Sequence, residues 1–125
     1  AGKFEKAEGP EKGHNVDPIY FHVVLEVGKE FKCDVPSGHN SFIYLLTGDL
    51  SIGKNKHNKT SNSNLILLDR GDKLIVKANK KSEFLFIAGK PIGEPIARGG
   101  PFVMNTKAEI LQAVQDYHNG TFAKY

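Results

Sequence analysis

Five histidines, one cysteine and scattered carboxylates are the residues of this chain that could hold a metal or move a proton. A small β domain working without an organic cofactor generally needs three or four His or carboxylate ligands aimed at one point. His14 and His57 stand in polar lead-in and loop sequence, and His118 at the end of a helical stretch. That leaves His22 and His39 with access to the interior of a β fold. The chain has no His-x-His and no His-x-x-x-His. A metal site would therefore be assembled from His22, His39 and a carboxylate such as Asp34. The plainer reading puts His22 on the exposed face of a strand and His39 in a turn, bonded to its own backbone.

Nucleophilic chemistry is no better supplied. Ser37 and Ser41 lack a glycine elbow. Cys33 alternates with Phe31 and Val35, the position of a small buried side chain, and nothing in the sequence around it points to a low pKa. Gly99-Gly100 belongs to no phosphate-loop or dinucleotide pattern, and Arg98 beside it is one loose cation.

The elements that must position these groups follow from the pattern of apolar residues. Residues 1–18 read as an irregular lead-in broken by Gly9-Pro10, Gly13 and Pro18. Ile19, Phe21, Val23, Leu25 and Val27 alternate with Tyr20, His22, Val24 and Glu26, which predicts a strand. Gly28-Lys29 turns the chain, and Phe31, Cys33 and Val35 continue the alternation to Pro36. Ser41–Thr47 predicts a strand, Gly48-Asp49 a tight hairpin turn, and Leu50-Ser51-Ile52 its partner. Residues 53–64 are a polar loop; Leu65–Leu68, Leu74–Ala78 and Phe84–Ala88 predict further strands.

Short strands at this spacing, with no helical period between them, predict an all-β sandwich or barrel in a single domain spanning 1–125. Its strands occupy 19–92 and are followed by an irregular Gly/Pro-rich segment at 93–105. A helix then spans 106–119, with Thr106 and Glu109 as a capping box and Ile110, Leu111, Val114 and Tyr117 as its apolar stripe.

At 125 residues, 39% apolar and 25% charged, the chain is long enough for one core. Its net charge is only +3, with lysines spread along it and the densest group, Lys54, Lys56 and Lys59, in the polar loop. Direct nucleic-acid contact needs a concentrated basic stripe, so none is expected. No apolar run approaches a membrane helix, and the charged start is not a signal peptide. The single Cys33 suits a reducing compartment, so the expected location is cytoplasmic, or nuclear in a eukaryote. With no secretion signal, Asn58-Lys59-Thr60 and Asn119-Gly120-Thr121 read as chance glycosylation sequons.

Three stretches in order resemble the pirin family. They are Ser41-Phe42-Ile43-Tyr44-Leu45-Leu46-Thr47-Gly48-Asp49, Phe84-Leu85-Phe86-Ile87-Ala88-Gly89-Lys90-Pro91-Ile92-Gly93-Glu94-Pro95-Ile96, and Gly100-Pro101-Phe102-Val103-Met104-Asn105-Thr106. The resemblance implies a cupin-like double-stranded β-helix, a jelly-roll barrel, equivalent to the C-terminal one of a pirin's two cupins. In that family the iron and the quercetinase-type dioxygenase activity belong to the N-terminal cupin, so no cofactor is expected here. Aligning Gly48 and Gly71 with the cupin glycines puts the ligand positions at Asp34, Pro36, Ser41 and Leu74, of which only Asp34 could ligate. Phe42, Tyr44, Phe84 and Phe86 are then expected to fill the interior.

Three roles follow. The first is a non-catalytic partner of a metal-binding cupin, or of a second copy of itself, through an interaction surface at Phe102, Val103 and Met104, with Phe122 and Tyr125 as neighbouring apolar groups. The second is a stand-alone small-molecule binder or metal-dependent oxidoreductase using His22, His39, Asp34 and Tyr44 at the barrel mouth. The third is a protein-binding transcription co-regulator module.

Overall fold

The computed structural model describes residues 1–11, 15–53, 64–123 and, as backbone, 59–61. His14, His57, Lys54, Lys56, Asn58 and Tyr125 lie outside the described residues. The chain divides into two compact units, Ala1–Ile92 and Gly93–Tyr125.

The first unit holds strands β1 (Lys3–Phe4), β2 (Ala7–Glu8), β3 (Ile19–Leu25), β4 (Glu30–Asp34), β5 (Asn40–Thr47), β6 (Asp49–Ile52), β7 (Lys59–Ser61), β8 (Leu65–Leu68), β9 (Lys73–Ala78) and β10 (Ser82–Gly89). From β3 on they form two antiparallel four-stranded sheets, ordered β3-β10-β5-β8 and β4-β9-β6-β7. Apart from the β6–β7 hairpin, consecutive strands fall in opposite sheets. This alternation is the jelly-roll winding.

Period-two sequence explains the interior. Phe31, Cys33 and Val35, then Leu74, Val76 and Ala78, then Phe84, Phe86 and Ala88 are all buried. Each large apolar side chain so buried contributes about 1.5–3 kcal/mol. On β5 the inward residues are Ile43 and Leu45, both fully buried, whereas Phe42 is half-buried and Tyr44 is exposed. The expectation that Phe42 and Tyr44 fill the barrel is thus corrected. The run Phe42–Leu46 is apolar throughout, so periodicity cannot choose its face. Register against Phe86, which stands opposite Ile43, does.

Gly48 does not close a hairpin. β5 and β6 lie in different sheets, and Gly48 is the corner between them. Its φ is 104°, and a Cβ there would run into Ser82 Oγ and sit 2.6 Å from the Lys81 carbonyl oxygen. Ser82 Oγ accepts from the Asp49 N–H at 3.1 Å and donates to the Lys80 carbonyl at 2.7 Å. Asn79 Nδ2 donates to Asp49 Oδ1 at 2.6 Å and to Ser51 Oγ at 2.9 Å. The corner therefore satisfies its own buried polar groups.

The lead-in is more ordered than its sequence suggested. β1 and β2 form a small hairpin that brings Phe4 5.4 Å from the Phe31 ring, stacked, and 5.7 Å from Phe21, edge-on. Two-residue strands carry no readable period, so the signal was a lone aromatic.

The second unit pairs β11 (Ala97–Gly99) with β12 (Phe102–Met104) and follows them with α1 (Lys107–His118). A hairpin thus occupies part of the segment read as irregular. The capping box is present: Thr106 Oγ1 accepts from the Glu109 N–H at 3.2 Å, and Glu109 Oε2 accepts from the Thr106 N–H at 2.7 Å. The inner helix face is Ile110, Ala113 and Val114, with Ala113 the buried residue. Leu111 points to solvent, one position off the i, i+3, i+4 stripe.

Candidate functional site

The residues at the aligned ligand positions do not share one environment. On β4 the side chains of Phe31 and Cys33 point inward and that of Asp34 points out; just beyond the strand Val35 is buried and Pro36 exposed. The Asp34 carboxylate is exposed, 3.6 Å from Lys73 Nζ. The interior-facing residues at this place are its neighbours, Cys33 and Val35. Ser41 is half-buried, opposite Ala88 on one side and Leu68 on the other. Leu74 is buried opposite Cys33. Ser41 and Leu74 line one small cavity of about 120 Å³ with Val35, Ile52 and Leu68, and with the exposed, charged Asp69 and Lys73.

The inward set is therefore a thiol, a hydroxyl and hydrocarbon. Burial, and secondly the charge of Asp34, push the Cys33 thiol pKa up, and the thiol donates to the Asp34 carbonyl at 3.2 Å. Metal binding at neutral pH needs thiolate, imidazole or carboxylate. This donor set does not fit iron. Among the described residues, no three His, Cys, Asp or Glu side chains gather closely enough to hold a metal ion.

The two histidines do not converge either. His22 stands on the outer face of the β3-β10-β5-β8 sheet, where its Nε2 lies 2.7 Å from Glu83 Oε1. His39 opens toward the lead-in instead. It is buried, and its Nε2–H donates to the Asp17 carbonyl at 3.1 Å. Its backbone N–H donates to the Pro36 carbonyl in a turn, while its ring bonds Asp17 and not its own backbone. Its Nδ1 is buried with no hydrogen-bond partner among the described residues. Tyr44 shares the outer sheet face with His22, so His22, His39, Asp34 and Tyr44 do not share a mouth.

A larger cavity, about 550 Å³, lies between the lead-in and the barrel, lined by Lys3, Glu8, Glu11, Asp17, Asp34 and Pro36 among others. Sequence reasoning missed it because much of its wall is the lead-in, read as irregular, including Lys3 and Glu8 of the unforeseen β1–β2 hairpin. Within the second unit, Phe102, Val103 and Met104 line an apolar groove of about 630 Å³ with Val114, Tyr117 and Phe122. The Phe102 ring is 5.0 Å from Phe122 and 6.0 Å from Tyr117. Val103 is 56% exposed.

The fold and its interior define a cupin-type jelly roll followed in sequence by a hairpin and a C-terminal helix. More narrowly, residues 20–123 match the pirin C-terminal cupin domain, and the chain belongs to that family. It is 39% identical over 104 residues to human pirin, covering 81% of this chain and 36% of that protein. To a pirin-like protein of Caulobacter vibrioides it is 35% identical over 114 residues, covering 91% and 40%. A solved quercetin 2,3-dioxygenase of Acinetobacter baumannii superposes with a TM-score of 0.86 at 32% identity, over 99% of this chain and 42% of that one. The chain thus spans less than half the length of the relatives it matches.

Proposed function

We propose that this chain is the non-catalytic cupin of a pirin-type protein, a structural and interaction partner of a metal-binding cupin. The supporting observation is the interior at the ligand positions, where Cys33, Val35, Ser41 and Leu74 offer hydrocarbon, a hydroxyl and a thiol held protonated. No cofactor is assigned to it. Its partner is an N-terminal pirin-type cupin or another copy of the chain. Residues 1–125 act as one domain, consistent with a family match that crosses both compact units. The lone buried thiol suits a cytoplasmic setting, and no described helix is long and apolar enough to cross a membrane.

Oxygen uptake with quercetin tests the reading. Protein incubated with Fe(II), Ni(II) or Cu(II) is expected to show no turnover above metal-only controls. Saturable, protein-dependent uptake would overturn it and favour the dioxygenase alternative. A small-molecule binder keeps one specific support, the 550 Å³ cavity beside the lead-in, whose size is that of ordinary ligand sites.

A further inference from the structure

Asn119-Gly120 is the one Asn-Gly step in the chain. Asparagine before glycine is the pair most prone to cyclise, because glycine has no side chain to shield the amide nitrogen that follows the asparagine. The deprotonated Gly120 nitrogen attacks Asn119 Cγ. A C–N bond forms, and the side-chain amide leaves as ammonia, taking the proton. The succinimide left behind takes up one water at either carbonyl. The products are aspartate, with the main chain restored, or isoaspartate, with the main chain rerouted through Cγ. No oxidant, reductant or second protein is needed.

Asn119 and Gly120 are both exposed, so base and water reach them. The fold nevertheless holds the reacting atoms apart. Asn119 is the C-cap of α1, at φ −82° and ψ −4°. That ψ eclipses the Gly120 nitrogen with the Asn119 nitrogen rather than with Cβ, the arrangement that ring closure needs. The Gly120 N–H also donates to the Tyr117 carbonyl at 3.2 Å, and the Thr121 N–H to the Asp116 carbonyl at 2.8 Å. With Gly120 at φ 71°, these two bonds form the Schellman motif that ends the helix. Cyclisation must therefore turn the Asn119 torsion and release the Gly120 bond. Helix ends open locally at little cost, so the motif slows the reaction without forbidding it.

We propose that Asn119 is a self-modification site whose rate is set by opening of this turn and whose product loosens the end of α1. Either product places a carboxylate at the helix C-terminus, where the macrodipole disfavours negative charge. Isoaspartate also lengthens the main chain inside the turn. Tyr117 and Phe122 flank the turn and pack on Phe102 at 6.0 and 5.0 Å, so the change reaches the apolar groove of this unit. With ammonia lost, the conversion runs one way. It uses no residue of the barrel and stands whichever role the barrel has.

Incubation of the whole chain at mildly alkaline pH, followed by peptide mapping with isoaspartate detection, tests it. Asn119 is expected to convert before every other asparagine, and more slowly in native buffer than in urea. Thr121→Pro removes the donor to the Asp116 carbonyl and leaves Asn119 and Gly120 in place. It should speed conversion of the folded chain about fivefold, the opening gained by losing one hydrogen bond. Asn119→Asp, the aspartate product made directly, should melt earlier than the uncharged Asn119→Gln. Earlier conversion at another asparagine overturns the site. Equal rates in native buffer and urea, or no change in Thr121→Pro, overturn its control by the turn. Equal melting of Asn119→Asp and Asn119→Gln overturns the loosening.

Discussion

Side-chain parity decides what the barrel can hold. A strand exposes and buries alternate residues, so a shift of one position exchanges solvent for core. Asp34, carried to a ligand position by motif spacing, falls on the outside of β4, and Cys33 takes the inside. A carboxylate one residue away from the interior is no ligand.

Gly48 shows the same sensitivity in backbone form. Replacing it with alanine combines a left-handed φ with a collision against backbone at the corner. Gly48→Ala is expected to cost about 2–4 kcal/mol. Gly38 also has positive φ, 84°, but open space around it. Gly38→Ala should cost about 1 kcal/mol, for strain alone. Urea unfolding of the two variants measures the difference, and equal losses would mean that the corner is not tightly closed.

At the scale of elements, local signals were read well and pairings were not. The alternation in β3, β4 and β9 was explicit, because each has one buried and one wetter face, whereas β10 was legible only as a short apolar run bounded by Gly89. The capping box was legible because all its parts lie within four residues. β5 was not, since Phe42–Leu46 is apolar on both faces and only its register against β10 fixes which residues turn inward. Gly48-Asp49 reads locally as a hairpin, yet the partners of β5 are β10 and β8, far along the chain. Sequence neighbours cannot announce such partners. The lead-in hairpin was hidden by its two-residue strands.

The capping box also predicts a pH response. The Thr106 hydroxyl, and secondly the Thr106 N–H, hold the Glu109 pKa below its usual value. A carboxyl lowered on folding adds stability above its unfolded pKa and loses it as pH falls through the folded one. Helical circular dichroism should therefore weaken as pH drops below about 4.5. Glu109→Gln should flatten that part of the titration, whereas an identical acid profile in the variant would remove Glu109 from the response.

For the whole molecule, the fold class was legible and the use of its surfaces was not. The strand spacing and the three family-like stretches sufficed for a jelly roll with a terminal helix. An interaction surface was expected at Phe102, Val103 and Met104 because they are apolar outside the barrel strands; the structure puts these residues around an apolar groove, which does not by itself test that role. On the function proposed, a barrel of this kind would contribute shape and contact surface within a pirin-length protein and leave the ion to another cupin.

Anaerobic calorimetric titration of Fe(II) into the metal-stripped chain addresses that division of labour most directly. The account predicts no saturable heat at one ion per chain. A one-to-one isotherm that is lost when Cys33 is replaced by alanine, in a variant that still folds, would contradict it.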